Sequence, residues 1–103
     1  MTLTTTESLG GKAYDVLGIV KGTTIQSVHI GKDIGSAFKT IVGGELQSYN
    51  EMLNKARALA TERMVREAET LGADAVVGVR YASSSVMQGA AEAMVYGTAV
   101  RFR

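Results

Sequence analysis

The stretch that most constrains this chain is SYNEMLNKARALATERMVREAETL, from Ser48 to Leu71. Apolar residues recur at Tyr49, Leu53, Ala56, Ala60, Met64, Ala68 and Leu71, in steps of three and four. That spacing places them on one side of an α-helix. Met52, Leu59 and Val65 widen the stripe, and the remaining positions, Ala58 apart, are polar. Glu51–Lys55 and Glu62–Arg66 stand at the favourable i, i+4 orientation. Ser48 with Glu51 reads as an S-x-x-E capping box, so the sequence predicts that the helix opens at Ser48. Roughly 23 residues at 1.5 Å rise give roughly 35 Å. That is long for so small a domain, and its ends are expected to reach past the sheet formed by the strands of its own subunit.

The flanking segments read as those strands. Thr2 to Glu7 is Thr-rich and fits a short edge strand, broken by Gly10 and Gly11. In Ala13 to Lys21, Tyr14, Val16 and Val20 alternate with Leu17 and Ile19. The strand is therefore apolar on both faces, and one helix layer covers only one of them. Gly22 to Gly31 fits a short strand or an irregular turn. Asp33 to Val42 has Ile34, Ala37, Phe38, Ile41 and Val42 at helical spacing, which predicts a short helix ended by Gly43 and Gly44. Ala73 to Ala82 and Ala91 to Phe102 read as strands, with Ser83 to Ser85 and Gln88-Gly89 as a long hairpin loop.

This order predicts an α+β two-layer sandwich: a mixed, largely antiparallel sheet with one long and one short helix, in one domain over residues 1–103. The strands before and after the helices should run parallel without touching. The last strand fits between them, antiparallel to both, as in a split βαβ unit. Ala93, Val95 and Ala99 on one face, with Met94, Tyr96, Val100 and Phe102 on the other, suit that central place.

Composition narrows the function classes. The formal net charge is +1, from 11 basic and 10 acidic residues, so no basic surplus exists for a phosphate backbone. No nucleic acid is expected as a partner. The absence of Cys removes disulfides, thiolate nucleophiles and thiolate metal sites together. The N-terminus shows no basic and apolar leader, and no apolar run approaches a membrane span. The expectation is a cytoplasmic protein that does not enter a membrane. A small domain without disulfides has limited surface to bury alone, which favours an oligomer.

Few residues suggest chemistry. LGADAVVGV, from Leu71 to Val79, places Gly and Asp beside an apolar run. Its order is helix then strand, whereas a phosphate loop needs strand then helix. Gly72 reads as a helix C-cap, and Asp74 sits near the negative end of the helix dipole. HIGKDIGS, His29 to Ser36, lacks the spacing of a phosphate-binding loop. His29 and Asp33 offer an N/O ligand pair that symmetry could multiply. Glu45 precedes the long helix, where an acid also has a dipole role. His29, Asp33, Glu45 and Asp74 are therefore the candidate ligands for a divalent metal. Met52, Met64 and Met94 suit core filling, while Met87 stands near a loop. Tyr49 and Tyr81 are candidates to line a groove, and better ones for core or interface. Ser83 to Ser85 show no triad spacing with His29, so no catalytic residue is assigned.

The runs IVGGELQSY, NKARALATERM, LGADAVVGVRY and YGTAVRFR resemble the YbjQ-like family of small bacterial and archaeal proteins. The resemblance runs from about Tyr14 to Arg103. It implies a fold like the dodecin subunit and a homopentamer. It also carries the family label of heavy-metal binding, but no settled reaction. Two departures matter. Family members often carry Arg after IVGG, where this chain has Glu45, and acids after the LGADAVVG strand, where it has Arg80-Tyr81-Ala82-Ser83. Losing those acids removes natural cation ligands.

Three readings follow. The first is a homo-oligomeric binding or scaffold protein, with a pentamer favoured and no catalytic role. The second is a metal-binding protein with His and carboxylate ligands. The third is an enzyme whose site forms between subunits.

Overall fold

The computed structural model describes residues 1–28 and 44–103, with the side chains of residues 44–46 left out. The elements are β1 (Thr2–Leu3), β2 (Tyr14–Ser27), α1 (Gly44–Thr70), β3 (Ala75–Met87) and β4 (Ala90–Phe102). The short helix predicted over 33–42 lies outside the described residues. The strand predicted to end at Lys21 continues to Ser27. No helix among the described residues is long and apolar enough to cross a membrane.

The four strands form one sheet in the order β1-β3-β4-β2. Strand β4 is central and antiparallel to both β2 and β3, as its doubly apolar pattern predicts. Strands β2 and β3 thus run parallel without touching. Strand β1 pairs parallel with only the first residues of β3, Ala75 and Val76. Helix α1 lies on one face, against β2 and β4, in a two-layer α+β sandwich.

The helix begins at Gly44, four residues before the predicted capping box. Gly44-Glu45-Leu46-Gln47 extends it backward, so Ser48 is already inside the helix and cannot cap it. The buried line is Met52, Ala56, Ala60, Met64 and Ala68, a strict step of four. Tyr49 and Leu53 are half-buried and Leu71 is exposed. Each step of four turns about 40° past a full circle, so the line spirals slowly round the axis. That spiral suits a straight helix crossing a twisted sheet.

The small residues in this line bring the helix close. Gly22 of β2 faces it, and a Cβ there would lie 1.9 Å from the Ala60 carbonyl oxygen and 2.6 Å from the Met64 amide nitrogen. Glycine is the one residue that fits at this separation. Around the contact, Val20, Ala60, Met64, Ala68, Val76, Val79, Val95 and Ala99 form the main core, with Leu3, Leu17 and Ala73 at its margin.

The predicted facing of β2 needs correction. The ladder with β4 slips between Val16 and Gly18, where Gly18 takes φ 142°. This β-bulge inserts one extra residue and reverses the alternation beyond it. Leu17 and Val20 consequently share the helix side. Ile19 is shifted to the opposite face, where Ile25 also lies.

Among the described residues, that opposite face is covered only at one end. Ala75, Val77 and Val100 are buried there with Leu9, Tyr14 and Phe102 packed against them. The Tyr14 hydroxyl donates to the Glu7 carbonyl at 2.6 Å, and the Lys12 ammonium sits 4.3 Å from the Phe102 ring centre. The chain's own N-terminal segment thus supplies this cover.

A second correction concerns the hairpin. Ser83 to Ser85 are not a loop but part of β3, paired with Ala93, Glu92 and Ala91. The turn is reduced to Gln88-Gly89, with Gly89 at φ 83°. Serine's preference for turns yields here to continuous pairing with β4.

Candidate functional site

The junction after α1 is fully occupied by the fold. Gly72 has φ 74°, its amide donates to the Glu69 carbonyl at 3.0 Å, and the Ala73 amide donates to the Ala68 carbonyl at 3.1 Å. These two bonds define a Schellman cap. The last turn of α1 holds no basic residue, yet a cation still reaches it. Arg101 of β4 donates to the Gly72 carbonyl at 3.1 Å and to the Leu71 carbonyl at 3.3 Å. Its guanidinium meets the negative end of the helix dipole. One Asp74 carboxylate oxygen accepts the Phe102 amide at 2.8 Å, and the Asp74 amide donates to the Val100 carbonyl at 2.8 Å. Asp74 therefore fastens the start of β3 to the end of β4.

The other candidate ligands do not gather around it. His29 and Asp33 lie outside the described residues, as does the side chain of Glu45. The backbone of Glu45 is in the first turn of α1, while Asp74 follows its last turn. Twenty-seven residues of helix separate those ends by about 40 Å. One chain cannot place both on one metal ion. Among the described residues, no three His, Asp or Glu side chains come together in a metal-binding group.

The methionines divide as their spacing predicts. Met52 and Met64 are buried in the helix seam, Met94 is half-buried on the sheet, and Met87 is exposed. Tyr49 is half-buried. Tyr81 is exposed, and its hydroxyl shares a hydrogen bond with the Thr61 hydroxyl at 2.9 Å.

Two surface features lie apart from the candidate ligands. The first is an open cleft of about 280 Å³ between the end of β2 and the early turns of α1, lined by Gln26, Ser27, Val28, Ser48, Glu51, Met52 and Lys55. It offers an amide, two hydroxyls, a carboxylate, an ammonium and a thioether. Such a set can hold a small polar molecule. Glu51, which the sequence pairs with Lys55, instead accepts from the Gln47 amide at 3.4 Å. Nothing in the sequence announces the cleft, because residues some 25 positions apart build it.

The second feature is the sheet surface away from the helix. Ile19 is 78% exposed, Ile25 63% and Tyr96 41%. The doubly apolar strand is the signal that predicts this uncovered face. Beyond Val79, β3 is exposed at every residue from Arg80 to Met87. The molecule is correspondingly extended. It measures 55 × 23 × 16 Å with a radius of gyration of 17.0 Å, against roughly 13 Å for a compact chain of this length.

Comparison with known proteins agrees with the resemblance drawn from the sequence. The model of a family described as "putative heavy-metal-binding" matches residues 1–103. A UPF0145 protein from Alkaliphilus metalliredigens is 62% identical over 102 residues, covering 99% of each chain. One from Thermotoga maritima is 55% identical, covering 98% of this chain and 96% of its own. Among solved structures, a protein of unknown function from Pediococcus pentosaceus, assigned to the DUF74 family, aligns with a TM-score of 0.69. That alignment covers 100% of this chain and 98% of the other at 17% identity, a likeness of fold alone.

Proposed function

The chain belongs to the YbjQ-like family, and on that premise we propose that it is a homo-oligomeric binding or scaffold protein, with a pentamer as its assembly. The observation that carries this reading is the sheet face opposite α1. Ile19, Ile25 and Tyr96 stand exposed on it, and among the described residues the N-terminal segment covers only the far end. An apolar sheet face of this kind is normally buried against another layer. The broad side of the molecule, 55 by 23 Å, exceeds the roughly 800 Å² that each partner contributes to a standard interface. Pentamer stoichiometry comes from the family resemblance. In this reading the assembly presents ligand sites such as the cleft at Glu51 and Lys55, and no catalytic step is assigned.

Sedimentation velocity and native mass spectrometry of the untagged protein test it. A single species at five times the 10.9 kDa chain mass is the expected result. A stable monomer at micromolar concentration would overturn the reading.

The family's description favours a second reading, a divalent-metal site built from His29, Asp33, Glu45 and Asp74. Because Glu45 and Asp74 stand at opposite ends of α1, such a site would need residues from neighbouring copies to join them. Titration calorimetry with zinc, copper and nickel tests it, and no heat of binding for any of them would remove it.

A further inference from the structure

We propose that the contact between copies runs along the open edge of β3, with a second copy of this chain adding an extended segment to Tyr81–Ser85. This inference rests on the homo-oligomeric reading above.

The hydrogen-bonding directions can be derived. At the outer edge of β2, the Lys21 amide donates to Glu67 Oε1 at 2.9 Å, and the Thr23 carbonyl accepts from Arg63 at 2.6 Å. The backbone groups of Lys21 and Thr23 therefore point away from β4. Lys21 faces Tyr96, so the groups of Tyr96 point to the other neighbour, β3. Tyr96 faces Arg80 there, and Arg80 consequently bonds inward to β4. Alternation then turns Ala82 and Ser84 inward as well. Tyr81, Ser83 and Ser85 turn their amides and carbonyls outward, to the free edge.

The N-terminal segment stops short of these groups. Thr4 accepts from the Val79 amide, Thr6 from the Gly78 amide, and the Thr5 carbonyl from the Arg80 side chain. Past Arg80, no backbone partner faces the outer edge of β3 among the described residues. Natural edges are usually protected by charge, proline, a bulge or shortness. YASSSVM carries no charge and no proline, and its pairing with β4 is regular from Arg80 to Ser85. It is a template for strand addition.

A second copy fits this edge better than a foreign peptide. Tyr81 is exposed on the helix side of the edge, while Ile19, Ile25 and Tyr96 are exposed on the opposite side of the sheet. A single added strand would satisfy the edge and leave those side chains bare. Whole domains joined edge to edge in a closed ring turn these faces toward a common axis, where neighbouring copies cover one another. Serine side chains at three successive positions give a foreign peptide little to recognise, whereas backbone pairing needs no side-chain code.

Amide hydrogen exchange on the assembled wild-type protein, read residue by residue, supplies the test. Slow exchange is expected at Tyr81, Ser83 and Ser85 as well as at Ala82 and Ser84. In parallel, Ser83→Pro removes one outward N–H, and Ser84→Pro removes one that bonds to β4. Ser83→Pro should keep its circular dichroism and hairpin shifts while weakening assembly at least tenfold in protein concentration. Ser84→Pro should disturb the hairpin itself, which confirms the assigned directions. If the protein assembles with Tyr81, Ser83 and Ser85 exchanging freely, the edge inference is overturned while the homo-oligomer stands. If Ser83→Pro assembles as tightly as wild type, the edge inference is likewise lost. If wild type is monomeric throughout, both readings fall.

Discussion

The two edges of this sheet are managed in opposite ways. The edge of β2 lies under α1, and the helix reaches over to close it. Glu67 takes the Lys21 amide and Arg63 takes the Thr23 carbonyl, so one outward amide and one outward carbonyl are bonded within the chain. The edge of β3 is closed by Thr4 to Thr6 only as far as Arg80. Beyond it the strand continues to Met87 with no intramolecular cover among the described residues. One sheet thus has a side tied to its helix and a side left open. The difference teaches where growth by addition is permitted.

The closed edge depends on how near the helix lies, and Gly22 sets that distance. In Gly22→Ala the added Cβ would meet backbone atoms of Ala60 and Met64, not a side chain that could swing aside. The helix would have to lift along β2. Overpacking of this kind costs up to about 3 kcal/mol, and here the obstacle is backbone on both counts. Urea denaturation should show a loss near the top of that range. A loss below about 0.5 kcal/mol would mean that the helix does not hold this edge closed.

Removing the capping side chains directly sharpens the same contrast. Each hydrogen bond is exposed, so the double variant Arg63→Ala with Glu67→Ala should lose about 1–2 kcal/mol in total. Its larger consequence is a second open edge. Light scattering should then report higher-order association that wild type does not show. If association is unchanged, the Glu67 and Arg63 bonds are not what keeps the β2 edge to itself.

These two edges also mark what the sequence could and could not disclose. The helix seam is legible because apolar residues recur at helical spacing, every fourth position, from Met52 to Ala68. The central place of β4 is legible because Val95 and Val100 make both its faces apolar. The bulge at Gly18 is not legible, since a reversal of facing arises from pairing with Ala99 and Val100, more than 80 residues away. Ser83 to Ser85 mislead because serine favours turns locally, while the pairing that makes them strand is long-range. Ser48 misleads in the same way, since an S-x-x-E pattern fits inside a helix as readily as at its start. At the candidate ligands, Gly72 declares itself as a cap, but nothing local predicts that Arg101 is the cation at that helix end. The cleft at Ser27 and Ser48 was silent for want of any local signal.

The closed half of β3 also begins at a fixed point, and Asp74 is part of it. Asp74→Ala frees the Phe102 amide and should lower stability by about 1 kcal/mol, measured by denaturant melts. Asp74→Asn keeps an acceptor oxygen and should recover most of that loss. Zinc titrations of the Ala variant separate the structural role from a ligand role. Unchanged heats leave Asp74 as a fastener of the sheet, and a lost heat returns it to the metal reading.

The smallest effect is expected where the open half begins. Tyr81→Phe removes one hydroxyl, which shares a hydrogen bond with Thr61 on an exposed surface. The Thr61 hydroxyl keeps a second bond, donated to the Arg57 carbonyl at 2.8 Å, so no polar group is left stranded. The loss should be about 0.5 kcal/mol or less. Assembly should not change, because strand addition at this edge draws on the backbone of Tyr81 and not on its hydroxyl. Sedimentation of Tyr81→Phe beside wild type at equal concentration checks this. A shift toward monomer would place the contact on the helix side of β3 and move the interface off the edge.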